Sequence, residues 1–219
     1  MNNLLFITQS ILITMAALLA DRLGKTIAIG TICVYVVIAN LFVLKQTCLF
    51  GMDVTTADVF TIGISLGLNL LQDRYGKQIA QKTVLASLWC VILYTIFSQF
   101  QIRYIPSSLD YSDIHFKALL EFAPRIAIAS ITAYAISQTM DVMTYHYFST
   151  HLGKKFYFMR NLLSIAISQS IDTTLFTWLA FADCGYNLLH LASFSYCIKL
   201  SAAALSVTII TIMRKITAR

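Results

Sequence analysis

The chain carries the pattern Ser-Gln-x-x-Asp twice, in "AISQTMD" ending at Asp141 and in "AISQSID" ending at Asp172. A carboxylate accepts hydrogen bonds and an amide both donates and accepts them, so each copy can read the edge of a flat heterocycle with paired N–H donors. Guanine-type bases present such an edge. A cation or proton relay would also use the acids, although it has less need of the amides Gln138 and Gln169. The two copies are therefore candidate parts of a binding or transport site.

Each copy belongs to a longer polar stripe, because polar residues recur around it at helical steps of three and four. The first stripe contains Ser130, Tyr134, Gln138, Asp141 and Tyr145. The second contains Asn161, Ser168, Gln169, Asp172 and Phe176. Phe176, Tyr134 or the later Tyr196 can stack against the ring of a bound base. The spacing thus supplies hydrogen-bonding groups and aromatic faces on two neighbouring helices.

Asp172 and Lys199 are ionisable residues in the middle of apolar segments. A charged group at the centre of a membrane helix costs about 2.5 to 3.5 kcal/mol on insertion scales, so such groups tend to pair or to face a cavity. We expect these two side chains to meet between the last two helices. They form either a structural ion pair or part of a ligand-binding site.

A third polar stripe precedes these two, and it contains Asp58, Ser65, Asn69 and Gln72. The same segment carries Gly63 and Gly67, a small-xxx-small pair that lets another helix approach closely. Asn69 is a candidate binding residue on this face. The alternative is a packing helix whose polar residues lie at its ends.

Arg125 is also predicted to lie inside a helix, four residues after Glu121. These two residues are in the favourable order for an ion pair on one helix. By helical angle Arg125 points away from Asp141, unless Pro124 distorts the first turn. Both a pairing role and a binding role for Arg125 stay open on spacing alone.

The segments that hold these residues are predicted to be membrane helices. The chain has 219 residues, of which 58% are hydrophobic and 12% are charged, about half the charge of an ordinary soluble domain. Apolar runs long enough to cross a bilayer fill nearly all of it. Seven candidate helices follow, at residues 4–20, 27–44, 54–71, 83–100, 118–146, 161–182 and 188–213. We expect one all-α polytopic membrane domain over residues 1–219, with a six-helix core and an additional N-terminal helix.

The basic residues between these helices predict an orientation. Segments after the first, third, fifth and seventh helices hold eleven Lys and Arg residues, whereas the N-terminus and the other connections hold three. Short cytoplasmic segments are enriched in Lys and Arg. The bias places the N-terminus outside and the C-terminus in the cytoplasm. It also explains the net charge of +6 without a nucleic-acid partner.

Other functional classes find little support in the residues. The five cysteines and four histidines are scattered without metal-ligand spacing, so we expect no metal, disulfide or cofactor. The chain has no Gly-rich phosphate loop, which argues against direct ATP coupling. An intramembrane aspartate protease would pair Asp141 with Asp172, yet the first acid is predicted near a helix end and the second near mid-depth. We therefore expect a protein that is not an enzyme.

The residues resemble the queuosine precursor transporter family. The similar segments are Ala123 to Val142 and Ser164 to Phe181, joined by an "IAN" ending at Asn40, by Asn69 to Gly76, and by the "Y-C-K" of Tyr196 to Lys199. The resemblance runs from about Gly24 to the C-terminus. It implies uptake of a 7-deazaguanine (7-cyano-7-deazaguanine, 7-aminomethyl-7-deazaguanine or queuine) across a bacterial inner membrane, for insertion into tRNA by a separate enzyme.

The family pattern also implies site residues. The motif positions Arg125, Ser130, Gln138, Asp141, Gln169 and Asp172 carry over, and Asn40 joins the candidates. Two positions depart from the pattern: Asn69 replaces an acid seen in several relatives, and Ser195 stands where an acid is expected before Tyr196. These changes are expected to bear on which deazapurine is taken.

The size and helix count leave one further transport class open, a substrate-binding membrane subunit that docks on an energising complex, as in energy-coupling-factor importers. Such partner subunits are possible, although nothing in the sequence requires them. The predicted mechanism is alternating access around a midplane site, in which Asp172 accepts the N–H edge of the base and Gln138 or Gln169 reads its carbonyl.

Overall fold

Eight helices and one β-hairpin make up the described part of the chain, residues 1–121, 123–153, 156–182 and 188–217 of a computed structural model. The elements are α1 (Asn2–Leu23), α2 (Lys25–Phe42), β1 (Gln46–Leu49), β2 (Met52–Thr55), α3 (Asp58–Tyr75), α4 (Lys77–Gln101), α5 (Asp113–Leu120), α6 (Ala123–His151), α7 (Tyr157–Phe181) and α8 (Leu188–Thr217). The seven long helices correspond to the seven predicted ones. The protein is thus an all-α polytopic membrane protein with one small hairpin.

Four helices are long and apolar enough to cross a membrane by length and composition: Asn2–Leu23, Lys25–Phe42, Lys77–Gln101 and Leu188–Arg214. The other long helices, α3, α6 and α7, contain 18, 29 and 25 residues. These three carry the polar stripes found in the sequence, which lowers their mean hydropathy. Their polar residues point into the protein, where they form the sites described below.

The hairpin was not predicted, and the turns at Gly24 and Gly76 are shorter than the predicted connections. β1 pairs antiparallel with β2, from Gln46 opposite Thr55 to Leu49 opposite Met52, so α3 begins at Asp58 and not near residue 54. Strands of four residues are too short to give a readable alternation. Single glycines join α1 to α2 and α3 to α4: Gly24 has φ 126° and Gly76 has φ 87°, which a residue with a side chain rarely adopts. α4 therefore starts at Lys77, six residues before the predicted start.

α3 lies at the centre of the bundle. Every residue from Asp58 to Gln72 except Thr61 is buried, and α3 contacts α1, α2, α4, α6, α7 and α8. A Cβ atom at Gly63 would meet Ile13 of α1, and one at Gly67 would lie 2.9 Å from Ile32 of α2. The two glycines thus permit the close approach expected of them, and the N-terminal helix packs directly on the central one.

α6 and α7 form the most extensive helix pair in the bundle. Ser137 of α6 contacts Asp172 of α7, and Asp141 of α6 contacts Ser164 of α7. Because the contact position moves forward on α6 as it moves backward on α7, the helices run antiparallel. The two Ser-Gln-x-x-Asp copies therefore face each other across this interface.

Candidate functional site

A cleft lies beside the hairpin, between α2, α3, α6, α7 and α8, and encloses about 910 Å³ with its open mouth included. Five predicted site residues line it: Asn40, Ser130, Asp172, Phe176 and Lys199. Apolar walls come from α2, α3 and α8. A concave, mostly apolar site with a few converging polar groups is typical of small-molecule binding.

Two carboxylates and one ammonium group lie at the wall of the cleft. The Lys199 Nζ atom donates to Asp172 Oδ2 at 2.9 Å and lies 3.6 Å from Asp58 Oδ1. The side chains of Asp58 and Lys199 are 4% and 5% exposed, so this charge cluster is almost fully withdrawn from solvent. We call Asp58, Asp172 and Lys199 the acid–lysine triad. With all three ionised, its net charge is −1.

Hydroxyl groups hold the remaining carboxylate oxygens of the triad. Ser195 donates to Asp58 Oδ2 at 3.0 Å, and Ser137 donates to Asp172 Oδ1 at 3.2 Å. A carboxylate has about four lone-pair sites, so both acids keep capacity to accept further hydrogen bonds. The triad can therefore receive N–H donors from a ligand in the cleft.

Aromatic residues flank the triad. Phe176 and Tyr134 line the same cleft, and the hydroxyls of Tyr134 and Ser87 are hydrogen-bonded at 2.7 Å. This bond occupies the polar end of Tyr134 and leaves its ring as an apolar surface. A flat ring bound in the cleft can contact both aromatic faces.

A second polar group of residues lies deeper in the bundle and does not line the cleft. It comprises Ser65, Asn69, Gln138, Asp141, Ser164, Ser168 and Gln169, each at most 1% exposed. We call it the deep polar layer. Ser65 donates to Gln138 Oε1 at 3.3 Å and accepts from Gln169 Nε2 at 3.3 Å, and Ser164 donates to Asp141. The hydroxyls of Ser65 and Ser168 also lie close to the Asp141 carboxyl.

The predicted site residues thus divide between two places. Asp172 lines the cleft, whereas Asp141, Gln138, Gln169 and Asn69 lie in the deep polar layer. The two acids of the repeated pattern do not share one cavity. The prediction that Gln138 or Gln169 reads the carbonyl of a ligand beside Asp172 is not supported, because both amides contact Ser65 below the cleft.

Two predicted residues fall elsewhere. The Tyr196 hydroxyl donates to the Ala166 backbone carbonyl at 3.1 Å, and its side chain lines a separate surface groove between α7 and α8. Tyr196 therefore does not stack in the cleft. The Arg125 side chain lies outside the described residues.

Sequence reasoning left Asp58, Thr173 and Ser195 out of the candidate site. Thr173 Oγ1 accepts from Lys199 at 3.1 Å, and Ser195 contacts Asp58. The sequence showed Asp58 only as the first residue of a polar stripe, because the hairpin that ends three residues before it was not predicted. Ser195 stands where the family pattern expects an acid, and the structure brings the Asp58 carboxylate to the same place.

A second charged cluster lies at the other end of the bundle. Asp73 at the end of α3 contacts Arg160 of α7 at 2.6 Å and Arg214 of α8 at 2.8 Å. The Arg214 guanidinium lies 4.0 Å from the centre of the Tyr157 ring, within cation–π distance. These contacts join three helices at the end opposite the cleft.

Comparison with known proteins agrees with a transporter. Residues 55–213 match the model of a family described as "Putative vitamin uptake transporter". The chain is 31% identical over 193 residues to a protein of Bacillus subtilis (strain 168) named "Probable queuosine precursor transporter", covering 84% of this chain and 81% of that protein. No solved structure matches significantly. The chain therefore belongs to the vitamin uptake transporter family that this match defines.

Proposed function

We propose that this protein imports queuosine precursors, which are 7-deazaguanines such as 7-cyano-7-deazaguanine, 7-aminomethyl-7-deazaguanine or queuine, for tRNA modification. The name of the Bacillus subtilis relative supports this substrate class. The observation that carries the proposal is the acid–lysine triad beside two aromatic rings in one cleft. The relatives are transporters, and the two acids of the repeated pattern occupy different sites, so an aspartate-dyad enzyme is not proposed.

The chemistry of the cleft suits a deazaguanine. The base presents adjacent N–H groups on one edge, and two parallel hydrogen bonds to a carboxylate match that edge. Asp172 accepts these donors in our proposal, and the Lys199 ammonium faces the carbonyl of the base. Phe176 and Tyr134 contact the two faces of the ring. The substrate is thus recognised without Gln138 and Gln169, which support the helices below it.

The orientation follows from the charge bias. If Lys and Arg concentrate on the cytoplasmic side, the hairpin and the mouth of the cleft face the outside of a bacterial inner membrane. The ion pairs of Asp73 with Arg160 and Arg214 then close the cytoplasmic end. In this proposal the described conformation is the outward-facing state of an alternating-access cycle, and transfer of the base requires these ion pairs to open.

Uptake of radiolabelled deazaguanine into liposomes that hold only the purified chain tests this function. We expect wild-type uptake and expect Asp172→Asn to reduce it to background, because the amide replaces one acceptor with a donor facing the base. Asp110→Asn, in the exposed connection after α4, is the matched control and should transport normally. Wild-type rates in Asp172→Asn would contradict the site. Uptake that appears only with added energising subunits would favour a substrate-binding subunit of a larger importer.

A further inference from the structure

Four of the nine buried side-chain atoms that lack a hydrogen-bond partner among the described residues belong to the deep polar layer: Asn69 Oδ1, Asn69 Nδ2, Asp141 Oδ2 and Gln169 Oε1. Their residues are completely buried. A buried polar group without a partner costs about 1 to 3 kcal/mol. Four such atoms in one buried layer of a membrane protein indicate a place where a bound group can complete these bonds.

Three of the four unsatisfied atoms are acceptors, so most of the missing partners are hydrogen-bond donors. Oxygen acceptors that meet each other cannot form a hydrogen bond unless a proton lies between them. A proton on Asp141 Oδ2 changes that atom from an acceptor into a donor. One proton on Asp141 therefore removes one unsatisfied acceptor from the layer and adds one donor to it.

No opposite charge stabilises an ionised Asp141 within the described residues. The helices packed against α6 are α3, α4 and α7, and α3 and α7 present the hydroxyls of Ser65, Ser164 and Ser168 to this acid. The titratable neighbours on α6 itself are Tyr134 and Tyr145. Charged groups lie toward the two ends, in the acid–lysine triad on one side and in the Asp73 cluster on the other. An isolated buried carboxylate tends to take up a proton instead of keeping its charge.

A proton fits this layer better than a metal ion. Hard cations need several converging oxygen ligands and room for the ion. None of the layer's seven residues lines the cleft, and a proton needs no cavity. Ser164 donates to the other carboxyl oxygen, so the carboxyl is positioned while Oδ2 stays available.

We propose that Asp141 is the proton-binding site that couples uptake of the substrate to the transmembrane proton gradient. The inference rests on the transport function proposed above. In the outward-facing state Asp141 Oδ2 takes a proton from the outside as the base binds at Asp172. After the change to the inward-facing state, the same O–H bond breaks, the proton leaves to the cytoplasm and the carboxylate is restored. One proton and one base cross together.

The contacts between the helices offer a route for this coupling. Ser137 and Asp141 lie one helical turn apart on α6, and Ser137 bonds to the cleft acid Asp172 on α7. Gln138 and Gln169, one from each copy, both bond to Ser65 of the central helix. A shift of α6 against α7 that follows protonation of Asp141 therefore changes the hydrogen bonds of the substrate acid.

The experiment uses the same liposomes with an acidic exterior, an alkaline interior and the membrane potential clamped at zero. For one-to-one coupling we expect wild-type protein to accumulate labelled 7-deazaguanine about tenfold over the outside concentration per imposed pH unit. A protonophore should abolish this accumulation. A pH-sensitive dye inside the liposomes should report acidification when substrate is added.

Asp141→Asn should lose accumulation while it still equilibrates the base across the membrane, because the amide resembles the protonated acid in shape and cannot release a proton. Asp110→Asn should accumulate the base as wild type does. Wild-type uptake that ignores the pH gradient, or acidification and accumulation that persist in Asp141→Asn, would overturn the inference while leaving transport intact. If wild-type protein transports nothing under any gradient, the proposed function itself fails. The dye measurement on the wild-type protein shows whether protons enter with the substrate even if the variant does not fold.

Discussion

The acid–lysine triad and the deep polar layer contain one Ser-Gln-x-x-Asp acid each, yet their electrostatic environments are opposite. Asp172 lies 2.9 Å from an ammonium group and lines a cleft. Asp141 is fully buried, and the Ser164 hydroxyl donates a hydrogen bond to it. The difference comes from the third helix at each place, because α8 brings Lys199 to Asp172 while α3 brings Ser65 to Asp141. The same local pattern thus takes its chemistry from its neighbours.

The antiparallel crossing of α6 and α7 makes the two regions depend on each other. The serine of the first copy, Ser137, donates to the acid of the second copy, Asp172. The serine of the second copy, Ser168, lies close to Asp141 of the first. Each acid is therefore held partly by the other copy. This arrangement explains a doubled pattern better than two independent binding sites do.

The sequence predicted the seven long helices, the polar faces and the meeting of Asp172 with Lys199. These features follow from periodicity and from the cost of charge in a bilayer, which are local properties. The separation of Gln138 and Asp141 from the cleft was not predictable. One helical stripe extends over several turns, so its first residues line the cleft while later ones lie in the deep polar layer. The place of Asp58 in the triad was not predictable either, because Asp58 follows a hairpin whose strands, of only four residues each, left no readable pattern.

The largest effect is expected when the triad is made to resemble the deep polar layer. Lys199→Met removes the ammonium group and leaves Asp58 and Asp172 together without a cation. Breaking a buried ion pair in this way costs about 3 to 5 kcal/mol, so the midpoint of thermal unfolding in detergent should fall markedly. Lys25→Met, at an exposed position, is the control. If Lys199→Met unfolds at the wild-type temperature, the ammonium group contributes nothing to stability. The difference in electrostatic environment between Asp172 and Asp141 would then have no effect on folding.

A smaller effect is expected when the second acid of the triad is neutralised. Asp58→Asn keeps the bond of Lys199 to Asp172 at 2.9 Å and removes the negative charge that lies 3.6 Å from the Lys199 ammonium. Hydrogen bonds to charged groups contribute about 1.5 to 3 kcal/mol, so the dissociation constant of a deazaguanine should rise by roughly 10- to 150-fold. Equilibrium binding to protein in detergent measures it, with Asp110→Asn as the control. Unchanged affinity would restrict substrate recognition to Asp172.

The smallest effects are expected from two serine variants, one at the acid–lysine triad and one in the deep polar layer. The first should change substrate affinity and the second the pH response of uptake. Ser137→Ala removes the hydroxyl that donates to Asp172 Oδ1 at 3.2 Å. This bond is long, and Asp172 keeps its bond to Lys199 without it. We therefore expect the contribution of a typical hydrogen bond, about 0.5 to 1.5 kcal/mol, so substrate affinity should fall by roughly 2- to 12-fold, without a change in the response to the proton gradient. Ser164→Ala removes the donor to Asp141 and should alter the pH range over which uptake responds, with affinity maintained.

Ser201→Ala on α8 is the matched control for both serine variants, because this exposed residue bonds only to the backbone of its own helix among the contacts described, at Cys197 O. Binding titrations and uptake at several external pH values are measured on all three variants. If Ser137→Ala and Ser164→Ala change affinity and pH response in the same proportion, the cleft and the layer act as one site. Two separable phenotypes are expected, because the hydroxyls bond to acids in different surroundings: one faces the substrate and the other lies among amides with unsatisfied oxygens.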